Sequence, residues 1–462
     1  MFSSHLGFAV FMLLLLVAPQ IPIIIPGGIT ESNISLGLVG LVIWFLLYCN
    51  RNFPSVQILR CGFRISHPLF WLIIFALYAF LISLISASIV SIAYGIQFLF
   101  YSIVLGFLML QYSDSFSALH RSAAEKIVMS IGALFSIAII VSAFTGPIYP
   151  HQTRWTLRNW GGAVIQQGVG FSESQNLAGP VVVFFLAFCI FMYSGKLWKK
   201  WCLLVLMFYA LMTTLSRAII ISFIIALALV YGMDIIKSFF SKMKIRQLSK
   251  QISFCMSGIL VSLAFFILVN TFVYKSFIPA LRTGLGIENK KSHDSQRIAS
   301  PTGLCIENKK SHDPQRIALR DLNRRLDNWK HGIDYWRSQS LIGKIFGRGF
   351  RASMDISPDT KSWYCAHNVY INIIGDFGVI GLVIFLIMIL KAFRDFIYLS
   401  FTRGSEHIGK FGLLVLVVLS IDNLTGPYFY SPLCLSLLII SFSLICFRTD
   451  ARFMKDDFHV FI

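Results

Sequence analysis

Charge is what this chain has least of. Asp, Glu, Lys and Arg make up 13% of its 462 residues, while hydrophobic residues make up 56%. A soluble protein of ordinary composition would carry about 25% charged residues, so an ordinary soluble globular domain is excluded. Other signals are missing too. The nine cysteines show no metal-ligand spacing. The glycine-rich Gly343–Phe350 segment, GKIFGRGF, reads as a turn and lacks the phosphate-loop arrangement. No paired carboxylates stand out as an acid–base pair; Asp355, Asp359 and Asp376 are possible but have no supporting pattern. No symmetry relates two halves of the chain, as the repeats of a transporter would.

What is present is a series of apolar runs, each near the roughly 20 residues needed to cross about 30 Å of hydrocarbon. Twelve are read, at about 6–26, 34–50, 69–89, 92–111, 127–145, 178–194, 201–216, 217–236, 252–273, 367–390, 411–425 and 431–447. The first lacks a basic start and an A-x-A cleavage site, and another span follows at once, so it reads as a helix rather than a signal peptide. An all-α integral membrane protein follows, with a large external loop containing amphipathic helix. Three regions are expected: 1–273 with nine spans and an external loop at 146–177, a large external loop at 274–366, and 367–462 with three spans and a tail.

Short-loop charge orients the spans. Arg51, Arg60, Arg64, Arg121, Lys126, Lys196, Lys199, Lys200, the basic run 237–250, Lys391, Arg394, Arg403 and Lys410 all fall on one side. The opposite short loops, 27–33, 90–91 and 426–430, carry no Lys or Arg. Both termini are therefore expected in the cytoplasm. The loop 274–366 holds 17 Lys and Arg against 9 Asp and Glu. Long loops translocate largely regardless of charge. Its basic surface is either a solvated domain or an attractor for an anionic ligand.

That loop contains a tandem repeat. Thr283–Ala299 and Thr302–Ala318 agree at 15 of 17 positions, 19 residues apart. Two copies are too few for a solenoid, and added length in an exposed loop costs little, so a tolerated duplication is expected. His293 and His312 read as solvent-facing passengers. Cys305 stands where the other copy has Gly286; seven cysteines pack in or near spans, and a Cys305–Cys365 disulfide is permitted on the external side. Beyond the repeat, Leu322, Leu326, Trp329, Ile333 and Trp336 recur at helical spacing and predict an amphipathic helix at the membrane face.

Several polar residues gather at the external edge. Arg217 sits between spans seven and eight with almost no loop; it either snorkels or binds something anionic. Arg154 and Arg158 stand among Trp155 and Trp160, suited to bidentate phosphate contacts or to anchoring. Asn176 opens span six as a cap or a sugar contact. His367 and Asn368 stand where the long loop re-enters the membrane; His367 either caps span ten or acts as a base.

The motifs Ser216-Arg217-Ala218, R-L-x-x-W at 325–329 and HNxYxNxxxxxGxxGL at 367–382, with FSESQNLAG opening span six, resemble the O-antigen ligase and polymerase superfamily. The resemblance covers the order of motifs from about 154 to 391. It implies transfer of a glycan from an undecaprenyl-diphosphate carrier outside the inner membrane, with no cofactor, nucleotide sugar, metal or nucleic acid. His367 would match the catalytic histidine; Arg217 and Arg325 would match arginines that hold the diphosphate. The acceptor would be lipid A-core for a ligase or a second lipid-linked glycan for a polymerase. Polymerases often show R-x10-G in both external loops. Arg158 meets Val169 at that spacing and Arg337 meets Arg348, which favours a ligase.

Overall fold

The structure, a computed structural model, describes residues 64–86, 88–115, 121–145, 148, 157–160, 163–172, 175–241, 245–269, 314–352, 366–424, 426 and 428–446, with isolated positions 10 and 43. Apart from positions 10 and 43, the first two expected spans lie outside the described residues, as do Arg154, His293, His312, Cys305, Cys365, Asp355 and Asp359.

Apolar helices occupy the positions of spans three to twelve. The first is α1 (Pro68–Ile85), with proline in its first turn and His67 as cap, its Nδ1 accepting from the Leu69 amide at 3.2 Å. A short turn leads to α2 (Ile89–Phe100), a π-helical segment Tyr101–Leu105 and α3 (Gly106–Ser115). After α4 (Arg121–Thr145), strands β1 (Leu157–Trp160) and β2 (Ala163–Gln166) form an antiparallel hairpin in which Arg158 pairs with Ile165. Then come α5 (Gln175–Phe191), α6 (Leu197–Thr213), α7 (Arg217–Ser241) and α8 (Ile245–Val269). The chain continues with α9 (Pro314–Ser338), the short α10 (Leu341–Phe346) and α11 (Val369–Phe401). It closes with α12 (Glu406–Asp422), a 3-10 turn Tyr428–Tyr430 and α13 (Pro432–Cys446).

Six stretches among the described residues are long and apolar enough to cross a membrane: 68–85, 89–110, 123–145, 217–237, 252–269 and 369–401. The chain is a multi-pass membrane protein. The expected all-helical class holds for the described residues apart from the β1–β2 hairpin, which the apolar pattern did not announce.

Helix α5 is the hub. Its side chains from Val181 to Ile190 are all buried, and it packs against α4, α6, α12 and α13. A helix apolar on every side has no face for water. The stretch 146–177 was expected as an external loop; within it, residues 168–170 are bonded into the bundle. Gly168 donates to the Thr213 carbonyl at 3.0 Å, while the amides of Val169 and Gly170 donate to Ser142 Oγ at 3.0 and 2.9 Å. Gly168 lies against Ile139, where a side chain would collide.

The ends of α7 and α12 are matched by charge. Lys237 Nζ meets Glu406 Oε1 at 2.9 Å, and Lys410 Nζ meets Asp234 Oδ1 at 2.6 Å. The C-terminal end of α7 therefore lies beside the N-terminal end of α12. The two helices run antiparallel, which carries Arg217 and Asn423 to the same, opposite end of the bundle.

The predicted amphipathic helix is α9. Its Gly332 packs against Ile371 and Ala366, so it follows the first turns of α11. Its first residue, Pro314, belongs to the second repeat copy, replacing Ser295 of the first. The last five residues of that copy are thus helical rather than loop.

Candidate functional site

Two tight corners build one end of the bundle. The first joins α6 to α7 through Thr214-Leu215-Ser216. Leu215 adopts φ 54°, a conformation costly for a bulky side chain, and Ser216 N donates to Thr214 Oγ1 at 3.3 Å. This compact turn makes Arg217 the first residue of α7, with its side chain exposed. A cation at the N-terminal end of a helix adds to the positive end of the dipole. Both attract an anion. Ser216 Oγ donates to Asn176 Oδ1 at 3.2 Å, so α5 is joined to this corner. Asn176 lies inside the first turn of α5 and spends its oxygen on Ser216, not on capping.

The second corner precedes α11. Asn368 is the cap: its Oδ1 accepts from the amides of Tyr370 at 3.0 Å and Ile371 at 3.2 Å. The capping reading considered for His367 is thereby corrected. His367 itself adopts φ 50° with an exposed side chain. The Val369 amide donates to the Asn423 carbonyl at 2.8 Å, and Tyr370 Oη donates to the Ser420 carbonyl at 3.3 Å. These bonds seat the His–Asn corner on the end of α12.

Arg217 and His367 therefore share an end of the bundle, since α12 runs antiparallel to α7. Arg325 lies exposed on α9, seven residues before the Gly332 contact with Ala366 and Ile371, a rise of about 10 Å from that contact. Arg158 lies in β1, and Arg154 lies outside the described residues.

Among the described residues, the non-glycine positions with positive φ are Leu215, Arg351 and His367. Two flank or form the sequence-predicted site. Strained backbone persists only where its surroundings over-determine it, and it clusters at functional sites.

Arg351 belongs to a feature that sequence reasoning missed. Helix α11 is broken at Gly378, which has φ 65° and ψ −169°. A break leaves carbonyls without intrahelical donors, and in hydrocarbon each must be satisfied within the protein. The segment 339–349, with Tyr78 of α1, does this for three consecutive residues. Gln339 Nε2 donates to the Gly375 carbonyl at 3.0 Å. The amides of Arg348 and Gly349 both donate to the Asp376 carbonyl at 2.8 Å. Tyr78 Oη bridges the carbonyls of Phe377 at 3.1 Å and Phe346 at 2.8 Å.

The glycines of GKIFGRGF now have a reason. Gly347 lies against Asp376 and Phe377, and Gly378 against Ile345 and Gly347, so closely that a Cβ at either would strike backbone. Asp376 is buried, and its Oδ2 accepts from the Arg351 amide at 3.2 Å. The Arg351 guanidinium lies 4.1 Å over the Tyr94 ring. Phe350 completes the joint, 4.8 Å from Phe377 and 5.5 Å from Phe98, edge-on or tilted. The Gly-x-Gly and G-x-x-G spacings were the visible signals, but neither says that the two segments meet.

Apolar spans with Arg217, Asn176, His367 and Asn368 at one end define the class as a multi-pass membrane protein with polar groups at that end. Residues 202–386 match the family described as O-antigen ligase. That matched segment holds Arg217, Arg325 and His367. No curated protein matches the chain.

Proposed function

We propose that this protein is an O-antigen ligase. It takes a glycan from undecaprenyl diphosphate and joins it to lipid A-core at the periplasmic face of the bacterial inner membrane, with both termini in the cytoplasm. The observation that carries the reading is the placement of Arg217 and His367 at one end of the bundle through the antiparallel α7–α12 pair. The absence of R-x10-G from both external loops favours ligase over polymerase.

The chemistry suits these groups. A glycosyl diphosphate already has its leaving group, so charge on the departing diphosphate must be stabilised and an acceptor hydroxyl must be deprotonated. Arg217 and Arg325 supply bidentate, permanently charged donors for the first task. Neutral His367 supplies the base for the second. One displacement by the acceptor oxygen breaks the sugar–phosphate bond and inverts the anomeric centre. Asn176 orders the Arg217 corner, and Asn368 holds the turn that presents His367. Arg154 and Arg158 belong to the glycan or phosphate side of the external surface.

Lipopolysaccharide profiles of a deletion strain test the assignment. Loss of all O-chain from lipid A-core, restored by the gene, is the expected result. A single repeat left on core would overturn it in favour of a polymerase joining lipid-linked units.

A further inference from the structure

Helix α10 is too apolar for the place that a loop would give it. Leu341 and Ile342 are each 73% exposed, and Ile345 and Phe346 are exposed as well. Yet this segment is not held at the outer surface. Its last carbonyl, on Phe346, is bonded by Tyr78, which lies seven residues before the end of α1, or about 10 Å inside it. Helical side chains lean toward their own N-terminus, so the Tyr78 hydroxyl points further in, not out.

The path on either side agrees. Gln339 meets Gly375 before the α11 break, and Phe346 shares Tyr78 with Phe377 at the break. Gly349 then lies against Ser83, Ser86 and Ser91 at the turn between α1 and α2, and Phe350 N donates to Ser83 Oγ at 3.4 Å. From Gln339 to Gly349 the chain stays beside residues 375–377 of α11, level with the break, and meets the end of α1 there. Its bare backbone is satisfied by protein, as hydrocarbon requires. There, Lys344 and an exposed Arg348 flank the apolar side chains, and no ion pair joins Arg348 to a carboxylate among the described residues.

We propose that α10 and Arg348 are the seat of the lipid-linked donor, with Leu341, Ile342 and Phe346 against its polyisoprenoid tail and Arg348 toward its phosphate end. An apolar surface at membrane depth with cations at its rim complements a long apolar chain that ends in a diphosphate. This inference rests on the transfer reading above and adds where the carrier lies.

The test compares purified wild type with the Leu341→Ser/Ile342→Ser double variant, using one glycan on an undecaprenyl or on a geranyl diphosphate. Loss of the apolar contacts should raise KM for the undecaprenyl donor about tenfold. The kcat for that donor should hold, and KM for the geranyl donor should not change. Equal losses with both donors, or none with either, would overturn the seat. A second measurement needs no variant. A photoreactive undecaprenyl phosphate should label the peptide containing 341–346 and be displaced by undecaprenyl phosphate in excess. Labelling elsewhere, or equal displacement by phosphatidylglycerol, would overturn it as well. If wild type transfers glycan from neither donor, the ligase reading fails while the photolabel still reports on the seat.

Discussion

The Val369 amide donates to the Asn423 carbonyl at 2.8 Å, and Asn423 in turn accepts from the Phe429 amide through its own Oδ1 at 3.0 Å. The first residue of α11 is thus tied to the residue that caps α12, and that cap to the chain leading into α13. The His367 corner is held by three elements at once.

His367→Ala should abolish glycan transfer, by roughly 10²–10⁴-fold for a general base, while binding of undecaprenyl diphosphate stays near wild type. His367→Asn is the sharper variant, because asparagine tolerates the left-handed backbone at φ 50° but is no base near neutral pH. Transfer measured with purified carrier and acceptor at matched protein levels decides it. An active His367→Asn enzyme removes His367 from the mechanism.

Arg217→Lys and Arg325→Lys keep the charge and lose the planar fork. Activity should fall at least about tenfold in each, the cost of one charge-assisted bond. Wild-type rates would show that both side chains serve only to snorkel.

Deletion of 283–301 removes the first repeat copy and leaves Pro314 to begin α9. Transfer should stay within a few-fold of wild type, since loop length changes closure entropy only slowly. Complete loss, with the protein still inserted in the membrane, would contradict this.

Gly378→Ala places a methyl group against the Ile345 carbonyl and the Gly347 amide at a positive φ. The loss should exceed about 2 kcal/mol and appear as a lower thermal midpoint in detergent. Gly232→Ala is the control, because open space surrounds that glycine. Its midpoint should hold or rise.

Burial pushes His67 down to about 3 from its ordinary 6.5. The unfolded chain then takes up a proton that the folded chain refuses, so stability should fall as pH drops below about 6.5. His67→Asn keeps an oxygen for the Leu69 amide and should flatten that dependence, as read from midpoints between pH 5 and 8.

Much of this fold is legible because hydrocarbon imposes one rule on every span. The apolar runs marked the positions of α1 to α8 and α11 to α13, though α2 and α3 were read as one run and α11 continues eleven residues past its expected end; the three- and four-residue spacing of Leu326, Trp329 and Ile333 marked α9. Less legible was anything set by one segment meeting another. Apolar residues continue past Gly378 on both sides, so the break in α11 leaves no gap in the pattern. The partners that satisfy it, Tyr78 and Gln339, are 299 and 36 residues away from Phe377 and Gly375. That Asn368 rather than His367 caps α11 rests on its Oδ1 meeting the amides of Tyr370 and Ile371, a contact that no apolar pattern announces. The β1–β2 hairpin has strands of four residues, too short for alternation to show.

The two ion pairs between α7 and α12 have a reach well beyond their own neighbourhood. Lys237 lies twenty residues from Arg217, about 30 Å along the helix. If either helix slid by one turn, about 5.4 Å, both pairs would be broken together, leaving four partly buried charges unmatched. The depth at which Arg217 stands relative to His367 is therefore gauged from the far end of the bundle. A substitution at Asp234 or Glu406 would shift the Arg217 and His367 corners against each other without touching either.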